Sequence, residues 1–252
     1  MKKQNIYLIT MMMMAMSMLQ SCNDDGYSLG DFVVRMATVH VENGNMYLQT
    51  DNGQKLWPGA TAIPWYKPVD GQRVWADYTI LSDEISGTEY AHAIKVNYLY
   101  NVLTKTVDEL TADNEESIGN DPAYIEEMWI GGNCLNVQFV IQRPVNEPHR
   151  VSLVENTLDD TPIVDEDGYI CLEYRFNEAD DVYNNTLRRS FVSFHLGEYG
   201  PLQSADKTIK GLKLKINSIK NGEKVVTLDY ATSINADKQT KIGEDVVNEG
   251  TY

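Results

Sequence analysis

The chain has 252 residues, 42% of them hydrophobic and 10% aromatic, and carries a formal charge of −16 at pH 7. That length supports one large or, as preferred here, two modest domains with proper cores. The excess of acid disfavours DNA, RNA and anionic lipid faces as partners, because such a surface repels them.

Lys2 and Lys3 lead into an apolar run from Ile6 to Leu19, crowded with Met11 to Met14. This is the charged-then-apolar layout of a secretory signal, and it is too short to span a bilayer comfortably. Leu19-Gln20-Ser21-Cys22 resembles the lipobox of bacterial lipoproteins, in which the cysteine thiol is diacylated and the chain is cut before it. Residues 1–21 are therefore expected to be a signal peptide, with Cys22 lipidated and the membrane a partner through that lipid. Loss of Lys2 and Lys3 leaves 19 basic residues against 37 acidic ones, a balance near −18. Residues 22–30, polar and containing glycine, suit a short tether.

From Asp31 the pattern turns to strands. Phe32 to Val41 and Met46 to Thr50 flank Glu42-Asn43-Gly44-Asn45, which predicts a hairpin. A turn at Asp51-Asn52-Gly53 and a proline-bearing segment from Trp57 to Trp65 follow. Alternation then returns at Gln72 to Ile80 and again over the long aromatic run Tyr90 to Leu103. Four or five short strands with no helical period predict a small barrel or a strongly curled sheet over residues 31–104.

Apolar density falls and acids gather between Thr104 and Pro122, so residues 105–122 are expected to be a linker. Beyond it, Met128-Trp129-Ile130 breaks at Gly131-Gly132. Leu135, Val137, Phe139 and Ile141 then alternate with Asn136 and Gln138, as in a strand with one solvated face. His149 to Val154, Tyr169 to Phe176, Arg189 to Leu196, Gly211 to Ile219 and Glu223 to Tyr230 repeat the pattern, and Asn221-Gly222 marks a hairpin between the last two. Such strands need a second layer over their apolar faces, which predicts an antiparallel β-sandwich over residues 123–240. Glu178 to Arg189 is the one stretch there able to wind a helical turn or two, and residues 241–252 are expected to be a tail.

Three stretches together are similar to the NigD-like lipoproteins of Bacteroidales. They are the lipobox with its following Asp24-Asp25, the strand entry Tyr27-Ser28-Leu29-Gly30-Asp31-Phe32, and Trp129-Ile130-Gly131-Gly132-Asn133-Cys134-Leu135-Asn136-Val137. The resemblance implies an all-β chain, an N-terminal OB-like barrel followed by a C-terminal β-sandwich. It also implies an accessory, bacteriocin-immunity-like role and brings no catalytic residue or cofactor. Cys22-Asn23-Asp24-Asp25 further resembles the acidic tract that sends lipoproteins of these bacteria to the cell surface; Gly26 ends the acidic run early and leaves outer-membrane surface and periplasmic face both open.

Chemistry is sparse. The four histidines, His40, His92, His149 and His195, have no nucleophile elbow or His-Glu-x-x-His pattern beside them, and His195 is expected to be a solvated or hydrogen-bonded strand residue. Cys134 and Cys171 fall on polar phases of strands, where either two thiols or one disulfide fits. Asp159-Asp160 and Asp165-Glu166-Asp167-Gly168 raise calcium, but the spacing is not that of an EF-hand loop, so Asp167-Gly168 is expected to turn a hairpin into Tyr169. No catalytic residue, metal site or cofactor is assigned. Trp57, Trp65, Tyr66 and Trp75 are the candidate ligand-binding residues, a platform on which a glycan could stack, set against plain loop and barrel packing. The preferred function is a lipid-anchored, non-enzymatic protein that binds an envelope protein or peptide; the alternative is a surface glycan-binding lipoprotein, with a carboxylate-pair glycoside hydrolase ranked last.

Overall fold

The computed structural model describes residues 30–83, 85–159, 161–181, 186–201 and 208–230. The signal peptide, Cys22 and the 241–252 tail lie outside the described residues. Strands β1 (Val33–Glu42), β2 (Asn45–Thr50), β3 (Lys55–Thr61), β4 (Arg73–Ser82) and β5 (Tyr90–Asn101) close into a barrel in the order β1-β2-β3-β5-β4. Alternation points Ala37, Val39, Leu48, Leu56, Val74, Ala76, Ile94 and Val96 inward, where they form one buried cluster. Asn43 and Gly44 both take positive φ between the paired residues Glu42 and Asn45, the geometry of a type I′ hairpin. The proline-bearing segment contains β3, which pairs parallel to β5 with a register shift at Pro58/Ala60; Pro58 is tolerated at that irregularity because a ladder N–H is not needed there.

The stretch expected as a linker opens with a strand. β5 ends at Asn101 and β6 (Leu103–Leu110) begins after Val102 alone, so the barrel passes directly into the second unit. β6 reads as linker because its side chains are polar, yet they are engaged. Thr104 Oγ accepts from Arg73 N, and Lys105 Nζ donates to the Val151 carbonyl at 2.6 Å. Within residues 105–122, only the single turn α1 (Glu115–Ile118) follows it as a regular element.

The remaining strands are β7 (Tyr124–Gly131), β8 (Cys134–Gln142), β9 (Arg150–Asn156), β10 (Tyr169–Asn177), β11 (Leu187–His195), β12 (Gly211–Ser218) and β13 (Gly222–Asp229). They pair in the order β13-β12-β10-β9-β6-β11-β8-β7. β6 is the corner: its first half pairs with β11 and its second half with β9, so one continuous ladder folds into two facing layers. Leu135, Val137 and Phe139 from one layer share a core with Leu153, Leu172, Tyr174, Leu214 and Ile216 from the other. The chain is thus all-β, a barrel followed by a sandwich. Three pairings, β6 with β9, β6 with β11 and β10 with β12, are parallel where antiparallel ones were expected. Hairpin residues mark only neighbours in sequence, while a parallel crossover leaves no turn signature. Of the stretch with helical potential, Glu178 to Arg189, residues 182–185 lie outside the described residues and the last three belong to β11.

Candidate functional site

Near the Gly131-Gly132 turn the polar faces of β8 and β11 do not meet solvent. They meet the barrel. Asn136, expected on a solvated face, is fully buried, as are Ser193 and Cys134. The contact is organised by Arg73, the first residue of β4. Its guanidinium is completely buried and donates from Nη1 to Thr38 Oγ (2.9 Å) and from Nη2 to Asp51 Oδ1 (2.6 Å) and Asn136 Oδ1 (3.2 Å). Asn136 also accepts from Ser193 Oγ at 2.6 Å, and Trp129 Nε1 donates to Asp51 Oδ2 at 3.4 Å. A buried guanidinium is tolerable only with such a carboxylate opposite it.

The Gly131-Gly132 pair follows from this contact. Gly132 and Asn133 both take positive φ (59° each) in a two-residue turn, while a Cβ on Gly131 would overlap the Asp51 carboxylate and one on Gly132 would lie 2.8 Å from Arg73 Nη1. The motif lets the β7–β8 turn reach the ion pair.

Two clefts flank this contact. The first, about 430 Å³, is polar, and its lining includes Gln49, Asp51, Gly71, Gly132, Asn133 and His195. Its histidine is answered, while Arg73 Nε and Asn136 Nδ2 at the adjoining ion pair are buried without a hydrogen-bond partner among the described residues. His195 Nε2 donates to the Gly71 carbonyl at 2.7 Å, which fixes the proton there and leaves Nδ1 to accept from Cys134 Sγ, 3.2 Å away. This is the hydrogen-bonded alternative for His195, reaching across the domain contact. A Cys–His pair suggests a nucleophile, but burial pushes the Cys134 thiol up to about 11, so it stays protonated near neutrality and cannot act as a thiolate.

The second cleft, about 410 Å³, is aromatic, with Trp75, Tyr100, Phe139, His149, Phe176 and Phe191 among its lining. The Trp75 and Phe191 rings meet edge to face at 5.6 Å. His149, with its side chain only 8% exposed, has Nε2 3.7 Å from Asp181. Its other ring nitrogen, Nδ1, and Trp75 Nε1 are both buried without a hydrogen-bond partner among the described residues. An unanswered buried polar atom costs about 1–3 kcal/mol. Outside the mouth, Tyr98 and Tyr100 lie with ring centroids 4.4 Å apart and are 45% and 56% exposed.

The structure divides the four aromatics singled out in the sequence. Trp75 is neither barrel core nor loop: Val74 and Ala76 point into the barrel, so Trp75 points out, where the sandwich covers it. Tyr66 packs on the barrel core and donates its hydroxyl to Asn101 Oδ1 at 3.0 Å, and Asn101 itself lines the aromatic cleft. Trp57 and Trp65 are 47% and 71% exposed. Trp57 pairs with Ala93 and Trp75 with Tyr100 along β5, so about 23 Å of strand separates the two positions. Arg73, Asp51, His149 and Tyr98 were not singled out from sequence. An arginine opening an apolar alternation, Arg73-Val74-Trp75-Ala76, was the available signal for the first.

Elsewhere, Lys213 Nζ lies 2.5 Å from Asp165 Oδ2 and 2.8 Å from Asp167 Oδ2, filling with an ammonium the place a cation would take. Asp165 Oδ1 accepts from Asp167 N and Tyr169 N, and Val164 bridges Ile170, so this loop turns a hairpin as expected. Among the described residues no three His, Cys, Asp or Glu side chains converge as a metal site. Cys134 and Cys171 are free thiols.

The chain matches the NigD-like N-terminal OB domain over residues 36–102 and the NigD-like C-terminal beta sandwich domain over residues 105–230. It belongs to the NigD-like family. Among solved structures, it is similar to a protein of unknown function from Bacteroides vulgatus, with 30% identity and a TM-score of 0.69 over 87% of this chain and 96% of that one. It is also similar to a protein described as toxin-related from Parabacteroides distasonis, at 31% identity and a TM-score of 0.65 over 83% and 100% of the two chains. A NigD-like immunity protein from Bacteroides caccae shares the fold at 17% identity and a TM-score of 0.55, over 80% of this chain and 92% of that one. No match is found among curated proteins.

Proposed function

We propose that this chain is a non-catalytic binding protein, anchored in the bacterial envelope by a lipid on Cys22 and acting in the manner of an immunity or accessory factor by holding a partner protein or peptide. The observation that carries this is the aromatic cleft of about 410 Å³ at the domain contact, with the exposed Tyr98 and Tyr100 beside it. Membership of the NigD-like family and the buried, protonated state of the Cys134 thiol support the same conclusion. The lipobox-like Leu19 to Cys22 and the acidic Asp24-Asp25 support an outer-membrane location, on either face.

Capture from the native envelope is the test, with Cys22→Ala as control. The wild-type chain is expected in the membrane fraction with a specific protein or peptide bound, and Cys22→Ala in the soluble fraction. Turnover of a glycan or peptide by the purified chain at a useful rate would refute the non-catalytic role. A glycan-binding alternative rests on the exposed Trp57 and Trp65; it predicts a glycan-array hit that Trp57→Ala or Trp65→Ala abolishes.

A further inference from the structure

β11 pairs with β8 along its whole length, from Leu187 to His195. On its other side, β6 begins only at Leu103, opposite Val192. Residues Leu187 to Phe191 therefore present one unpaired strand edge among the described residues. The gap has a covalent cause. β6 cannot extend backwards, because Asn101 is paired to Val74 and the Val102 N–H donates to the Arg73 carbonyl, so the barrel already holds that part of the chain. Across the gap β9 pairs with β6 only from Leu153 onward. The wedge opens at the aromatic cleft, whose lining includes Ser190 and Phe191 from β11 and Val151 from β9.

We propose that the open edge of β11 receives an extended peptide from the partner as an added strand, its alternate apolar side chains entering the aromatic cleft. This rests on the partner-binding function above and gives it a site and a ligand class. Strand addition needs a free edge beside a recess that takes alternate side chains, and the open edge of β11 lies beside such a cleft here. Arg188 lines the cleft and has no ion-pair partner among the described residues, so in this acidic chain it marks the end of the site where a carboxylate of the peptide would sit.

The test is an array of blocked hexapeptides in which leucine, valine or phenylalanine alternates with threonine and an aspartate closes either end. It is probed with the full chain carrying Cys22→Ala, and the tightest binder is titrated while backbone amide resonances are followed. The expected result is a set of shifts concentrated on Leu187 to Phe191 and Val151. N-methylation of alternate peptide amides should weaken binding at least tenfold, and Arg188→Glu, at an exposed position where folding is not at stake, by about tenfold. An array without binders, or binding indifferent to N-methylation, overturns strand addition. If the envelope capture still yields a protein partner in that case, the edge is refuted and the binding function stands. Shifts of the same amides on concentrating the protein alone would place a second copy in the wedge, and shifts with an oligosaccharide would place a glycan there; either overturns the proposal.

Discussion

The two clefts beside the domain contact are similar in volume, about 430 and 410 Å³, and differ in the side chains that line them, aromatic rings being gathered in the second. In the polar one His195 uses both ring nitrogens, and the nearby Asp51 faces both Arg73 and Trp129. In the aromatic one Trp75 and His149 each keep a nitrogen that nothing among the described residues meets. Around Arg73 the hydrogen bonds to Thr38, Asp51 and Asn136 tie the domains together, although Arg73 Nε and Asn136 Nδ2 are themselves buried without a partner among the described residues. The polar side is read as architecture, and the aromatic side is where the proposed binding is placed.

Substitutions separate the two roles. The largest effect is expected from Asp51→Ala, which strands the Arg73 guanidinium in a fully buried position and should cost about 3–5 kcal/mol in urea unfolding. A small loss would show that water reaches Arg73 and that the polar side is no lock. Gly131→Ala comes next. Its new methyl group overlaps the Asp51 carboxylate, and shifting the β7–β8 turn should cost about 1–3 kcal/mol by the same measurement.

A paired comparison of tryptophans sharpens the contrast. Trp129→Phe and Trp75→Phe remove equal ring volume, but only Trp129 loses an N–H that a carboxylate accepts, so it should be destabilised by about 1 kcal/mol more. Equal losses would mean that Trp75 Nε1 is satisfied in solution.

Smallest is an acid effect at the sandwich edge. Arg189 beside Glu126 holds that carboxyl below its ordinary value of 4.5. The unfolded chain then binds the proton more readily than the folded one, so this contribution is present above about pH 4.5 and fades as pH falls through the lower folded value. Glu126→Gln should show a shallower loss of stability between pH 5 and 3 in thermal melts (about one carboxyl's share). An unchanged slope would place the acid sensitivity elsewhere.

Much of the architecture was legible in the sequence because it is local. Asn43-Gly44 and Asn221-Gly222 mark hairpins through backbone conformations that few other residues adopt, and Leu135-Val137-Phe139 against Asn136-Gln138 marks a strand through its period of two. The same alternation assigned Asn136 to solvent, since it separates two faces without saying what covers the second. Trp57, Trp65, Tyr66 and Trp75 look like one cluster in a short stretch of chain, yet β5 carries the first and last to well-separated positions along its length.

By itself, the sequence determined an all-β chain, a barrel followed by a sandwich, and most strand positions, because hydrophobic period and turn chemistry act between near neighbours. Only the tertiary structure decided that β6 is a sheet corner with parallel partners and that Arg73 meets Asp51 and Asn136 across the domain contact. It alone also decided that the edge of β11 stays open beside the aromatic cleft. These features depend on long-range pairing and on which polar face another domain covers, and nothing local in a strand encodes either.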